Sequence, residues 1–235
     1  MKWTQITEVG RVRKNNEDSV LGKPQLGLFA VADGMGGHNA GEVASTLATL
    51  VLEDRVRNSL AQNPDEVLLE AIQEANRRIW QQGQRKLSQK GMGTTITALF
   101  LRSQFAAIAQ VGDSRAYLYR NQKLRQLTTD HSLVQEMFQG GLISRDEMDS
   151  HPNKNILTRA LGSDEKVQVD TQIMAYQERD LFLLCSDGLY DMITEEEILQ
   201  ILQTGQELSW MARLMVDLAM EHGGQDNISL IMVKI

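Results

Sequence analysis

Apolar residues gather along the chain in short runs separated by polar turns, and elsewhere recur at helical spacing. Leu28-Phe29-Ala30-Val31-Ala32, Leu181-Phe182-Leu183-Leu184-Cys185 and residues 228–233 read as buried strands. Residues 94–101, 104–111 and 115–120 form a further run of strands, with turns at Arg102-Ser103 and Asn121-Gln122. Residues 2–8 alternate weakly, as an edge strand would. Residues 19–21 and 26–32 flank Gly22-Lys23-Pro24-Gln25 and predict a hairpin. Helical spacing appears in two adjacent stretches. Val43, Leu47, Leu50, Val51 and Leu60 mark a helix from Gly41 to about Ala61, which Asn63-Pro64 ends. Pro64, with Asp65 and Glu66 behind it, opens a second helix whose stripe (Val67, Leu68, Ala71, Ile72, Ala75, Ile79, Trp80) runs to about Lys90. Their short connection predicts an antiparallel pair covering a sheet. Two more helices are expected at about 194–203 and 207–221. Between Leu127 and Gly162 the periodicity weakens, and this segment reads as a flap inserted between strands.

Composition narrows the class. The 235 residues are 42% hydrophobic, ample for a core, and show no fixed-period repeat or low-complexity linker, so 1–235 is expected to be one domain. A net charge of −7 argues against nucleic-acid binding through a basic surface. Cys185 is the single cysteine, which rules out an intramolecular disulfide and suits a reducing compartment. No apolar run approaches the roughly 20 residues that span a bilayer, and Met1 leads into polar sequence without an apolar leader. A soluble, cytoplasmic chain, probing no membrane, is the expectation.

The candidate chemistry lies where strands end. Residues 30–38 read A-V-A-D-G-M-G-G-H, an apolar run that stops at an acid followed by glycines. Asp113 follows Gly112 at the end of one strand, Asp187 precedes Gly188 after another, and Asp226 stands just before the last. Each acid alone reads as an ordinary turn residue. Four converging on one sheet mouth would repel one another, at about 4 kcal/mol for a pair ~4 Å apart at an effective dielectric near 20. Either some stay protonated or hard cations neutralise them. Oxygen ligands without clustered Cys or His favour Mg²⁺ or Mn²⁺.

Six motifs in order, R-x-x-N-E-D from Arg13, V-A-D-G-M-G-G-H, M-G-T-T at 92–95, V-G-D-S-R at 111–115, L-C-S-D-G-L at 184–189 and G-G-Q-D-N at 223–227, resemble the bacterial PPM (type 2C) family of metal-dependent protein serine/threonine phosphatases. The resemblance spans nearly the whole chain. It implies an α+β fold, a four-layer α-β-β-α sandwich of two antiparallel sheets flanked by helix pairs. It also implies hydrolysis of phosphoserine and phosphothreonine on proteins by a metal-bridging water, without a phosphoenzyme, in a chain that works as a monomer against Ser/Thr kinases. By that resemblance Asp33 bridges two Mg²⁺ or Mn²⁺ ions, Asp187 and Asp226 hold the first, and the Gly34 carbonyl holds the second. Glu17 would reach the second ion through water, with Asp18 supporting that shell. Asp113, with Asp187, would form a weaker third site. Arg13 would grip the phosphate with its planar fork, and His38 would serve as general acid.

Other chemistries fit less well. A cysteine phosphatase would need an arginine six positions after Cys185, where Asp191 stands; the P-loop spacing of Gly36 and Gly41 continues into Glu42, not Lys; and Gly112-Asp113-Ser114-Arg115 leads to Ala116 where a hydrolase elbow needs glycine. A catalytically weak phosphoprotein-binding regulator on the same fold is the alternative from another class. His131, His151 and Arg159 in the flap are candidate phosphopeptide contacts, with an ordinary structural role the stronger expectation for each.

Overall fold

The computed structural model describes residues 1–36, 40–59 and 63–235. Its strands pair into two antiparallel sheets. One is ordered β1 (Lys2–Glu8), β11 (Ile228–Lys234), β10 (Leu181–Cys185), β7 (Arg115–Arg120) and β8 (Lys123–Gln126). The other is ordered β2 (Asp18–Lys23), β3 (Leu28–Met35), β5 (Ile96–Arg102), β6 (Phe105–Val111) and β9 (Asp170–Ala175), with the short β4 (Gly93–Thr94) paired to β3.

The period of two in a strand explains why the central runs are apolar throughout. Phe29 and Val31 of β3, Phe182 and Leu184 of β10, and Ile231 and Val233 of β11 pack between the sheets. Leu28 and Ala30 point the other way, into a second core beneath helices α1 (Ala40–Asn58) and α2 (Pro64–Arg85). Leu181, Leu183, Leu230 and Met232 do the same on the opposite side, under α6 (Glu195–Gln203) and α7 (Leu208–Glu221). Three stacked cores between four layers give the expected α-β-β-α sandwich. Cys185 is fully buried in one of them, with burial pushing its thiol up to about 12, so it packs as a small apolar residue.

Differences from the sequence-based expectation fall where sheet edges or close turns decide the conformation. The first helix ends at Asn58, short of Ala61; residues 60–62 lie outside the described residues. The second ends at Arg85, not near Lys90, because Lys86 turns extended and a 3₁₀ turn at Leu87–Gln89 returns the chain so that Met92 is buried. Strands β8 and β9 were not expected. They lie at sheet edges and expose most of their residues, so they lack the apolar run that marks the inner strands. Between them the chain forms α3 (Leu133–Gln139) and α4 (Arg145–Ser150), within the weakly periodic stretch read as a flap. Asp187 does not simply end a strand but opens a helical turn, α5 (Asp187–Tyr190). Among the described residues no helix is long and apolar enough to cross a membrane.

Phe182 has no exposed surface in the layer between the sheets. Phe182→Ala is expected to cost about 3–5 kcal/mol, read as a lowered denaturation midpoint with an unchanged slope.

Candidate active site

The strand ends meet at one edge of the sandwich. Asp18 on β2 and Asp33 on β3 are direct partners in the antiparallel register, which sets two acids side by side. The backbone around Asp33 is clamped. Its N–H donates to Thr95 Oγ1 (2.9 Å), while its carbonyl accepts from Thr95 N–H (2.8 Å) and Thr94 Oγ1 (2.8 Å). Gly34 permits this edge to close: a Cβ there would stand 2.2 Å from the Gly41 carbonyl oxygen and 2.5 Å from that of Glu17. Glu17 is held in turn by Gly34 N–H and Ser45 Oγ on its carbonyl, and by its own N–H donating to Asn227 Oδ1 (2.8 Å).

Asn227 ties the other sheet to this edge. Its Nδ2 donates to the carbonyls of Val9 and Asn15, both at 2.9 Å, and its N–H caps Asp226 Oδ1 (2.8 Å). Gly188 again allows close approach, since a Cβ would meet the Asn227 carbonyl oxygen at 2.0 Å. Ser186, just before Asp187, donates its hydroxyl to Asp18 Oδ2 (2.8 Å). Asp113 is buried beside Arg115, whose guanidinium forks onto Asp130 (2.7 Å) and lies 3.6 Å over the Tyr190 ring; Tyr190 OH donates to the Asp113 carbonyl (3.2 Å).

Arg13, Glu17, Asp33, Gly34, Asp113, Asp187 and Asp226 all line one cleft of about 350 Å³. Asp18 lies behind it. His38 lies outside the described residues. Arg13 Nη2 donates to Asp226 Oδ2 (2.6 Å), and although burial opposes its charge, that bond and the charges of Asp187 and Asp33 raise its pKa further. Thr95, Asn155 and Asn227 also line the cleft and were not singled out from sequence. Thr95 and Asn227 lay inside motifs, but nothing in their residue type marked them as backbone clamps; Asn155 lay in no motif.

Of the two roles open to His131, the structure gives it the structural one, not that of a substrate contact. It is buried, its Nδ1 accepts from Gly112 N–H (3.1 Å), and its Nε2 faces Asp170 Oδ2 (3.2 Å), which leaves no ring atom for a ligand. Burial outweighs Asp170 and lowers its pKa, so the neutral ring with Nε2 protonated fits both bonds. Arg159 also binds Asp170 (2.8 Å), and His151 Nδ1 accepts from Asn153 N–H (3.1 Å).

The electrostatics of the acids are uniform in direction. Asp18, Asp33 and Asp187 keep some exposed surface, yet desolvation is the first cause of every shift. Burial pushes Asp18 up to about 7 and Asp187 up to about 6. Asp33 and Asp113 are raised well above the carboxylate range, by burial first and then by one another's neighbours, including Asp187 in both cases. Glu17 is raised by burial as well.

Two of these oxygens, Asp18 Oδ1 and Asp187 Oδ1, are buried and have no hydrogen-bond partner among the described residues. An orphaned carboxylate oxygen costs on the order of 1–3 kcal/mol or more unless a proton or cation meets it. Among the described residues no three acidic, histidine or cysteine side chains close into a ligand cage. What fits a hard cation such as Mg²⁺ or Mn²⁺ is the donor chemistry of the cleft, carboxylates and a backbone carbonyl without Cys or His among the described lining residues.

Residues 2–228 match the family described as Protein phosphatase 2C. The chain belongs to that family. It is 43% identical over 235 residues to the serine/threonine phosphatase stp of Listeria welshimeri, covering 97% of this chain and 93% of that one. The crystal structure of the Mycobacterium tuberculosis serine/threonine phosphatase PstP/Ppp superposes with a TM-score of 0.94 at 35% identity, covering 100% of this chain and 98% of that one. The catalytic domain of PstP in complex with two manganese ions gives a TM-score of 0.90 at 34% identity over 99% of this chain and 97% of that one. This chain is thus a phosphatase of the bacterial PPM type, on the sandwich its motifs implied.

Protons, in the absence of cations, relieve the crowding of acids. Because the folded-state pKa values of Asp18 and Asp187 lie above the ordinary 3.8, the folded state holds more protons than the unfolded one between about pH 4 and 7. Their stabilising contribution is complete below that window and lost as pH rises through it. Chelator-treated protein is expected to show a falling melting temperature from pH 5 to pH 8, and Asp18→Asn is expected to flatten that slope; thermal scans across pH check both.

Proposed function

We propose that this chain hydrolyses phosphoserine and phosphothreonine on proteins by direct attack of water, without a phosphoenzyme, and that it opposes Ser/Thr kinases. The observation that carries this reading is the convergence of Asp33, Asp113, Asp187 and Asp226 on one cleft together with the orphaned oxygen of Asp187. On this reading residues 1–235 act as one monomeric, cytoplasmic catalytic domain, with 127–162 as its flap.

Asp33, Asp187 and Asp226 and the Gly34 carbonyl would hold two Mg²⁺ or Mn²⁺ ions, with Glu17 and Asp18 in support and Asp113 with Asp187 offering a weaker third site. Bound there, such ions supply a water activated for attack and positive charge against the phosphate. The chain's own groups do the rest. Thr94, Thr95 and Asn227 fix the backbone that carries the acids, so that no ligand needs to reorganise during turnover. Arg13 sits at the cleft with one Nη on Asp226, which leaves the remaining guanidinium donors to orient two phosphate oxygens. His38 would donate the proton to the departing serine or threonine oxygen.

The serine/threonine phosphatase relatives support catalysis over the phosphoprotein-binding alternative, as does the retention of every acid.

Asp33→Asn or Asp187→Asn is expected to lower turnover of a phosphothreonine peptide by at least about 10²-fold, the scale of losing one electrostatic contact at developing charge. Chelation is expected to abolish wild-type turnover and added Mn²⁺ or Mg²⁺ to restore it, both followed by phosphate release. Near-normal rates in either variant, or turnover indifferent to chelator, refute the assignment.

A further inference from the structure

Asp113 and Asp187 leave the same end of one β-ladder. Arg115 of β7 pairs with Cys185 of β10 in the antiparallel register, so Asp113, two residues before Arg115, and Asp187, two residues after Cys185, both stand just past the last pair. Backbone pairing between β7 and β10 stops there, and beyond it the spacing of the two acids falls to side chains.

Tyr190 spans them. Asp187 and Tyr190 are the first and last residues of α5, and residues three apart share a helix face. The Tyr190 hydroxyl donates to the Asp113 carbonyl (3.2 Å), and its ring lies 3.6 Å from the Arg115 guanidinium stacked over it. That guanidinium is itself held: Nε and Nη2 donate to Asp130 Oδ2 (3.0 and 2.7 Å) and Nη1 to Tyr117 OH (3.2 Å). Tyr190 thus sits in a notch made by residues 113–115, its tip on one residue and its face on another.

Different groups hold the opposite side of Asp187. Ser186 N–H donates to the Ser229 carbonyl (3.0 Å), and Gly188 packs against Asn227, next to Asp226. The spacing of Asp187 from Asp226 and its spacing from Asp113 are therefore set by separate contacts. Asp113, Asp187 and Tyr190 also line a cavity of about 50 Å³ that adjoins the cleft, room for a water or two.

We propose that Tyr190 is a positioning residue whose hydroxyl sets the separation of Asp113 and Asp187, and with it the affinity of the weaker divalent-cation site between them, while the two-ion site at Asp33 does not depend on it. This rests on the metal-dependent reading of the adjoining cleft. A small hard cation such as Mg²⁺ demands near-ideal placement of its oxygen ligands, so it senses the spacing of two carboxylates directly. Phenylalanine at 190 would keep the stack on Arg115 and leave the Asp113 carbonyl without its donor.

The test is calorimetric titration of chelator-stripped wild type, Tyr190→Phe and Tyr190→Leu with Mn²⁺, beside phosphate release from a phosphothreonine peptide. Wild type is expected to take up a tight class of ions and a weaker one. Tyr190→Phe is expected to weaken the weaker class about three- to tenfold, the scale of one hydrogen bond, and to leave the tight class unchanged; Tyr190→Leu, which also removes the ring, is expected to weaken it further. Tyr190→Phe that binds every ion as wild type does, or that weakens both classes alike, overturns the role of Tyr190. Wild type that takes up only the tight class overturns that role too, while peptide turnover leaves hydrolysis standing. Wild type that takes up no Mn²⁺ overturns metal-dependent hydrolysis and the role of Tyr190 with it.

Discussion

The structure depends on holding like charges together. Asp18 and Asp33 are cross-strand partners, Asp113 arrives on the turn that leads from β6 of the same sheet to β7 of the other, and Asp187 arrives on the turn after β10, all desolvated. No arrangement of fixed carboxylates is favourable by itself in such a setting, since each added charge raises the cost of the next. What keeps them there is the rest of the fold. Three apolar cores lock the strands, and a strand register cannot slip by one residue without turning its buried face outward.

Between the cores and the acids stands a layer of small polar residues. Thr94 and Thr95 bind the Asp33 backbone, Ser45 binds the Glu17 carbonyl, Ser186 reaches Asp18, and Asn227 joins the N-terminal loop to the last strand. Each makes short bonds to backbone or carboxylate, so the acids are positioned by groups that carry no charge themselves. Adding cationic side chains instead would have neutralised the cleft with groups unable to exchange. Arg13 is the exception at its rim, and Arg115 is committed to Asp130 behind it.

Sequence showed the inner strands because burial on both faces leaves a continuous apolar run, as in Leu28-Phe29-Ala30-Val31 and Leu181-Phe182-Leu183-Leu184. It showed the helices because each buries one stripe. Strands β8 and β9 were illegible for the complementary reason: an edge strand with a wet face has ordinary surface composition, and its pairing is set by neighbours distant in the chain. The acids of the cleft were legible as strand-end residues, three of them beside glycine, but their burial was not, because it depends on side chains unremarkable in type: the Thr residues that clamp Asp33 and the Asn227 that ties the last strand to the N-terminal loop. The structural partners of His131 were illegible for the same reason. Its partners, Gly112 and Asp170, lie far from it in sequence and become neighbours only when the flap folds back on the sheet.

That fold-back also separates two properties of the site. His131, Asp170 and Arg159 fasten the ends of residues 127–162 to the sheet that carries Asp113, while Leu161 pairs with Thr94, which clamps Asp33. Asn76 on α2 continues the tie, accepting from Gly162 N–H and donating to the carbonyls of Asp164 and Glu165. The backbone here is therefore pinned through Leu161 and Gly162, yet from Ser163 to Lys166 the side chains stay exposed. Side chains there can vary without moving the backbone that holds the acids. The geometry of the acids and the surface presented beside the cleft are thus carried by different atoms of the same short stretch.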